Sequence, residues 1–393
     1  MKTQRHSFLN IVLISLTFGM ATQTAHANEK YEHADYWLSR GYQPHLGIEN
    51  STFSELPSWK PHSLAWPVEF ENVAHSMGNS MAEFQSYGDG PYYHGGCDLR
   101  VRRGASLHTP ITGRIEAGHY GYTNRPDGSS EKFWRPWPET GDENYFEVAV
   151  ITDDGFRFEF HHMNEQKLGP EVIHALKAGS GRVEVGTFLG DTVEWPDGIY
   201  HHTHYNILSP VGTHLNPEYY SPLIQDHRAP EIATVLAAFP GNRTRAFGSG
   251  VFETAPQFFA IALIDHNDTN IYDHPTVYAS VEFENGLNFV WDFRERLLGP
   301  DGKFPSIWSF FVESILDPMG KRWSTAGGYG RGQSVIRVPV PLGAHGAFVI
   351  KVADQANNGV EFTGRVGSSS TQTRPVIRLN TTARASLEAE AHQ

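Results

Sequence analysis

The sequence predicts a mostly β protein, an antiparallel β-sheet core followed by an immunoglobulin-like β-sandwich. Three observations lead there. From about Pro67 to Pro222, short runs alternating apolar and polar residues are separated by Gly, Pro, Asn and Asp, the period-two texture of half-buried strands. After "DHRAPEI" (226–232) the texture returns in "TVYASVEF", "NFVWDF", "SVIRVPVPLG" and "AFVIKVADQANNG", the last ending in a strand-turn pattern like those of immunoglobulin-type sandwiches. The 393 residues also leave room for two domains of roughly 100–200 residues each.

In chain order, residues 1–27 read as a secretory signal peptide. Lys2 and Arg5 precede an apolar run from Phe8 to Ala21, and Ala25-His26-Ala27 marks cleavage before Asn28. Asn10, Ser15 and Thr17 break that run, which is too short for a membrane anchor. The mature chain is therefore expected in the periplasm or outside the cell, with no membrane insertion after cleavage. Residues 28–66 form an N-terminal arm without a sustained period. Residues 67–224 form the first domain, where "EVAVITDDGFRFEFHHM" is two strands around a Thr-Asp-Asp-Gly turn. Its one helix is "PEVIHALKAG", opened by Pro170 and closed by Gly179. Residues 229–367 form the sandwich, with "SIWSFFVESILDPMG" compatible with a helix or a buried strand pair. Residues 368–393 turn polar and read as a flexible tail. No internal repeat is found.

Composition excludes some partners. With 31 Lys and Arg against 44 Asp and Glu the net charge is −13, unsuited to nucleic acid or anionic lipid, whose phosphates need basic patches. Cys97 is the only cysteine, so no intrachain disulfide forms. One residue from Asp98, it faces away from that carboxylate and reads as a small buried hydrophobe.

The chemistry gathers around histidines. In "IYHHTHYNIL" (199–208), strand alternation puts His202 and His204 on one face and His201 on the other. "YYHGGCDLRVRRG" sets His94 and Asp98 four apart around Gly95-Gly96, where a tight glycine turn would bring imidazole and carboxylate to one ion. His94, Asp98 and one strand histidine supply two nitrogens and an oxygen. That set suits zinc with its fourth position open.

These motifs resemble a family. "HGGCD" (94–98) is similar to the H-x-G-x-D motif of lysostaphin/LytM-type zinc endopeptidases, and "HTHYNI" (202–207) to their H-x-H-[FY] strand. "DLRVRRGASLHTPITGRIEAG", "FHHMN" (160–164), "VEVGTFLG" and "LNPEYY" resemble the segments between and after them, so the likeness covers roughly residues 70–222. It implies a LytM-type peptidase core with zinc ligands His94, Asp98 and His204. His162 and His202 would be the catalytic, non-ligand histidines. His162 aligns with the family histidine, and by alternation only one of His161 and His162 is expected to face the groove. The implied activity is hydrolysis of peptide bonds by one catalytic Zn2+, with cell-wall peptide, above all peptidoglycan cross-links, as substrate. Alternatives are a non-catalytic regulatory LytM-type module and a secreted protease acting on ordinary proteins. "KFWRPWPETGDE", within Tyr122–Asn144, departs from the shorter family segment and is expected to wall the groove. "DTVEWPDGIYH" also lacks the usual small residues.

Other residues carry plainer readings. His108, His119, His174 and His214 have no partner pattern and default to surface or core roles. "DHNDTNIYD" (265–273) is rich in oxygen ligands but fits no calcium-loop spacing. The C-terminal region supplies no expected ligand, so a chain ending near Ile224 should still bind zinc.

Overall fold

The structure is a computed structural model that describes residues 34–45, 56–70, 77–87, 90–179, 181–195, 201–224, 226–239, 243–246, 251–252, 255–266, 268, 275–328, 332–367 and 377–380. The signal-peptide reading and most of 265–273 lie outside the described residues.

An arm of helix α1 (Ala34–Leu38) and strand β1 (Gln43–Pro44) precedes the first sheets. Then follow β2 (Phe84–Tyr87), β3 (Gly90–Tyr93), β4 (Cys97–Arg100), β5 (Ser106–His108), β6 (Gly113–Asn124), β7 (Ser130–Pro136), β8 (Phe146–Ile151), β9 (Arg157–His161) and β10 (Met163–Leu168). Helix α2 (Pro170–Ala178), β11 (Arg182–Val183), β12 (Phe188–Thr192), β13 (His202–Leu208), β14 (His214–Leu215) and helix α3 (Pro217–Tyr220) complete this part. The main sheet runs β1-β7-β6-β8-β9-β13-β14, with β4 added on β13 and β11 on β6, and all its pairs are antiparallel.

Period-two alternation separates the two faces of this sheet. Val148, Val150, Phe158, Phe160, Tyr205 and Ile207 are fully buried in one core, each large apolar side chain contributing about 1.5–3 kcal/mol. Glu147, Arg157, Glu159, His161, His204 and Asn206 alternate with them and share the other face. The "KFWRPWPETGDE" segment is no separate wall at its start, because β7 pairs with β6 from Gly118–Pro136 to Asn124–Ser130. Helix α2 sits where expected, with Pro170 in its first turn and Gly179 closing it at φ 72°.

The second part holds β15 (Glu231–Phe239), β16 (Arg243–Ala246), β17 (Val251–Phe252), β18 (Phe258–Ile264), β19 (Tyr278–Phe283), β20 (Asn288–Asp292), helix α4 (Ile307–Phe310), β21 (Ser314–Leu316), β22 (Arg322–Ser324), helix α5 (Thr325–Gly328), β23 (Gln333–Pro339), β24 (Gly346–Ala353), β25 (Gly359–Val366) and β26 (Ile377–Asn380). They form one sheet ordered β16-β15-β18-β23 and another ordered β17-β25-β24-β19-β20, with β26 on β25. The two pack as a sandwich, with Phe259 stacked on Phe348 at 4.8 Å between ring centroids. "SIWSFFVESILDPMG" holds a short helix and then the single strand β21, whose partner β22 lies beyond the segment. Four of the residues expected in the tail, 377–380, form β26 instead.

The sandwich core does not stop at its own sequence. Met81, Ala82, Phe84 and Tyr93 belong to the same apolar cluster as Phe259, Phe293, Phe310, Phe311 and Ile350. Leu215 of β14 also bridges to Arg296, which extends the main sheet's edge into the second part.

Candidate metal centre

Strand register builds the centre. β4 and β13 pair antiparallel with Asp98 directly opposite His204, so both side chains leave the same face. Asp98 Oδ1 lies 2.8 Å from His204 Nδ1 and 3.2 Å from His94 Nε2. The three donor atoms fall within 4.8 Å of one another, and the His94 and His204 rings meet edge-on at 4.6 Å. A tetrahedral zinc with bonds of about 2.0–2.1 Å separates its ligand atoms by about 3.3 Å, so the 3.2 Å gap fits and the 2.8 Å one, a hydrogen bond, would open slightly on binding.

Tautomers support the fit. His94 Nδ1 lies 3.0 Å from the Ser80 carbonyl, an acceptor only, so Nδ1 carries a hydrogen and a metal would bind at Nε2 in place of the proton that Nε2 shares with Asp98. Gly95 and Gly96 are needed for another reason than a tight turn. Neither has a positive φ; a Cβ on Gly95 would sit 2.6 Å from the His214 ring, and one on Gly96 2.3 Å from the Tyr205 carbonyl oxygen. The glycines let β4 and β14 close on β13. His214, which sequence reasoning left without a role, donates from Nδ1 to the Gly95 carbonyl at 2.8 Å.

His162 and His202 stand together beside this triad, their rings 4.8 Å apart. The expectation that only one of His161 and His162 faces this side does not hold. β9 ends at His161, and His162 takes a left-handed φ of 59°, which breaks the alternation. His161 then lies 5.0 Å from the His204 ring, while His162 reaches His202. His162 Nδ1 donates to the Asn144 carbonyl at 2.8 Å, with the Tyr120 hydroxyl 3.3 Å away. Trp195 lies parallel to His202 at 5.6 Å and edge-on to His162 at 4.9 Å. Its buried indole N–H finds no acceptor among the described residues. The one trace of Trp195 in the sequence was a loop that lacked the usual small residues. His201 falls just before β13, where its carbonyl accepts from Val101 N–H at 3.0 Å.

Charge states follow from burial and neighbours. Burial disfavours the Asp98 carboxylate, but His94 and His202, with hydrogen bonds from His204 and His94, outweigh it and hold the pKa well below the usual range. Burial, reinforced by His94, lowers His204 to about 3. Burial and then His202 push His162 well down, so both imidazoles are neutral at pH 7. For His94 the Asp98 charge and hydrogen bond overcome burial and raise the pKa. Burial pushes the Cys97 thiol well up, consistent with an inert hydrophobe.

A second group, Glu147, Glu159 and His161, also brings three donor atoms within 4.8 Å. Cations already fill it. Lys132 Nζ bonds both carboxylates, at 2.6 Å for Glu159, and Arg157 reaches Glu147 and Glu159 at 2.8 Å each. A metal would have to displace both, so the His94–Asp98–His204 set is the better cation site. Near 265–273, Asp268 is engaged by His227, whose backbone N–H and Nδ1 lie at 3.0 and 2.7 Å.

No family model and no curated protein matches this chain. Among solved structures it is similar to a chain of the SpoIIQ-SpoIIIAH pore forming complex, with 15% identity and a TM-score of 0.26 over 41% of this chain and 92% of that one. Likeness at that level carries no argument. Among the described residues no helix is long and apolar enough to cross a membrane.

Proposed function

We propose that this protein is an exported LytM-type zinc metalloendopeptidase that hydrolyses peptide bonds in peptidoglycan cross-links. The observation that carries the reading is the convergence of His94, Asp98 and His204 beside a second pair of facing histidines, His162 and His202. His94, Asp98 and His204 would hold the metal. Zinc bound there would polarise a carbonyl and acidify a bound water. His162 is suited to be the base, because its Nδ1 hydrogen is committed to Asn144 and its Nε2 lone pair is left to accept a proton. His202, stacked on Trp195, would donate to the oxygen on which charge develops.

The test has two readouts on the purified mature chain: bound metal, and products from purified peptidoglycan and from casein. About one zinc per chain and new amine termini in peptidoglycan are expected. His204→Ala should lose zinc, whereas His162→Ala and His202→Ala should keep it and lose about 10²–10⁴-fold in rate. Zinc binding without any hydrolysis would leave the non-catalytic regulatory module. Cleavage of casein alone would leave a protease of ordinary proteins. Zinc retained by His204→Ala would overturn the ligand set.

A further inference from the structure

Three main-chain and ring contacts fix His94, and all come from the four residues before β2. Its N–H donates to Glu83 O at 2.8 Å, its carbonyl accepts from Ala82 N–H at 2.9 Å, and its Nδ1 donates to Ser80 O at 3.0 Å. The residues just before it serve the other side: Asp98 N–H donates to Asn79 O and Gly78 N–H to Asp98 O, both at 2.8 Å, and Met77 is buried in the main-sheet core.

Residues 80–83 are held in turn by the C-terminal sandwich. Met81 and Ala82 are fully buried in its core, and the Met81 carbonyl accepts from Gln355 Nε2 at 3.1 Å. In the β2–β3 hairpin, Phe84 pairs with Tyr93 and packs on Phe311 at 5.4 Å and Trp308 at 5.8 Å. Tyr93, the residue next to His94, meets Phe304 at 5.6 Å and Phe311 at 5.8 Å, and its hydroxyl donates to Ser306 O at 3.2 Å. Asp127 O accepts from Ile307 N–H at 2.8 Å, tying the neighbouring β6–β7 turn to the same helix. Asp98 and His204, by contrast, sit on strands whose inner faces pack into the other core.

We infer that the C-terminal sandwich is part of the metal-site scaffold, and that Tyr93 is a positioning residue that fixes ligand His94 against Asp98 and His204 through it. The inference rests on the metal reading above. The ligand triad straddles a seam: one ligand is placed by the sandwich, two by the main sheet. Loosening the seam moves His94 relative to the other two, and supports that orient metal ligands commonly govern 10–100-fold in affinity. Coupling is reciprocal, so metal binding must also tighten the seam.

The test uses full-length protein titrated with zinc against a competing chromophoric chelator. Tyr93→Leu should weaken zinc binding by about tenfold or more. Ile315→Ala, a buried truncation in a separate cluster of the sandwich, should stay within about twofold, since it destabilises without touching the hairpin. Hydrogen exchange on metal-free protein gives a second readout: Tyr93→Leu should speed exchange at Ala82 and His94, and zinc should slow it across 304–311 in the wild type. If Tyr93→Leu does not fold, Tyr93→Phe removes only the bond to Ser306 and should show a smaller loss in the same direction. Unchanged affinity in the Tyr93 variants, or an equal loss in Ile315→Ala, would overturn the inference while leaving the metal reading intact. A wild type that binds no zinc would overturn both.

Discussion

His162 is the residue where the backbone gives most away. An imidazole side chain at φ 59° sits in the left-handed region, which only a few per cent of non-glycine residues occupy even though Asn, Asp and His are favoured among them, at a cost on the order of 1–3 kcal/mol. The surrounding bonds hold it there: Val193 N–H donates to the His162 carbonyl at 2.8 Å, and Asn144 takes its ring hydrogen at 2.8 Å. Such strain is tolerated where a side chain is wanted in one place, here against His202 and Trp195. Glycine relieves it. His162→Gly is therefore expected to keep its zinc and a thermal midpoint no lower than about that of the parent, while hydrolysis falls by about 10²-fold or more. A variant that melts far below the parent would show that His162 is chiefly a packing residue. This feature was hidden in the sequence, because alternation assumes extended backbone through "FHHMN" and nothing in those letters announces a left-handed turn. The candidate strand histidines were legible for the opposite reason. The pair His202 and His204 needs only strand periodicity, and β13 is a regular strand.

At the scale of elements, the polar face of the main sheet carries a charge network across four strands. Lys132 on β7, Glu116 on β6, Glu147 on β8, and Arg157 with Glu159 on β9 interlock, with Arg157 reaching Glu116 at 2.6 Å. Burial disfavours the Glu116 carboxylate, but the charge of Arg157 and the hydrogen bonds from Arg114 and Arg157 lower its pKa to about 2. A folded pKa below the unfolded value of about 4.3 contributes stability that is full above that value. It is lost as pH falls from about 4.3 through 2. Unfolding free energy by urea should thus drop over that window, and Glu116→Gln should show a shallower drop there, having surrendered the term at every pH. Parallel curves for the two proteins would exclude Glu116 as a contributor. Period-two patterning showed that these strands exist, and the "EVAVITDDGFRFEF" hairpin forms as read. It could not show which cation meets which carboxylate, since that depends on the strand order β7-β6-β8-β9. His161 was passed over for the same reason: its partners Glu147 and His204 come from two other strands.

For the whole molecule, the two-part reading of the sequence meets a structure in which the parts share a core. Local composition located the sandwich strands well, because each carries its own period. It gave no sign that Met81, Phe84 and Tyr93 belong with residues two hundred positions later, since contacts at that separation leave no local pattern. The expectation that a chain ending near Ile224 binds zinc was drawn from ligand positions alone. Such a chain would expose the apolar face of the β2–β3 hairpin. It would also lose the Asn216 amide bond to Arg294 O at 2.7 Å and that of the Tyr220 hydroxyl to Glu295 at 2.9 Å. Exposed aromatic surface of that kind favours association over a native site. The intact chain should instead unfold as one unit, because breaking either half uncovers the core of the other. Scanning calorimetry of the metal-free protein is expected to show one transition whose van't Hoff and calorimetric enthalpies agree. Zinc at about 100 times its dissociation constant should add about 2.7 kcal/mol and move that transition as a whole. Two resolved transitions, with only one shifted by zinc, would mean that the halves fold independently and that their shared core does not couple them.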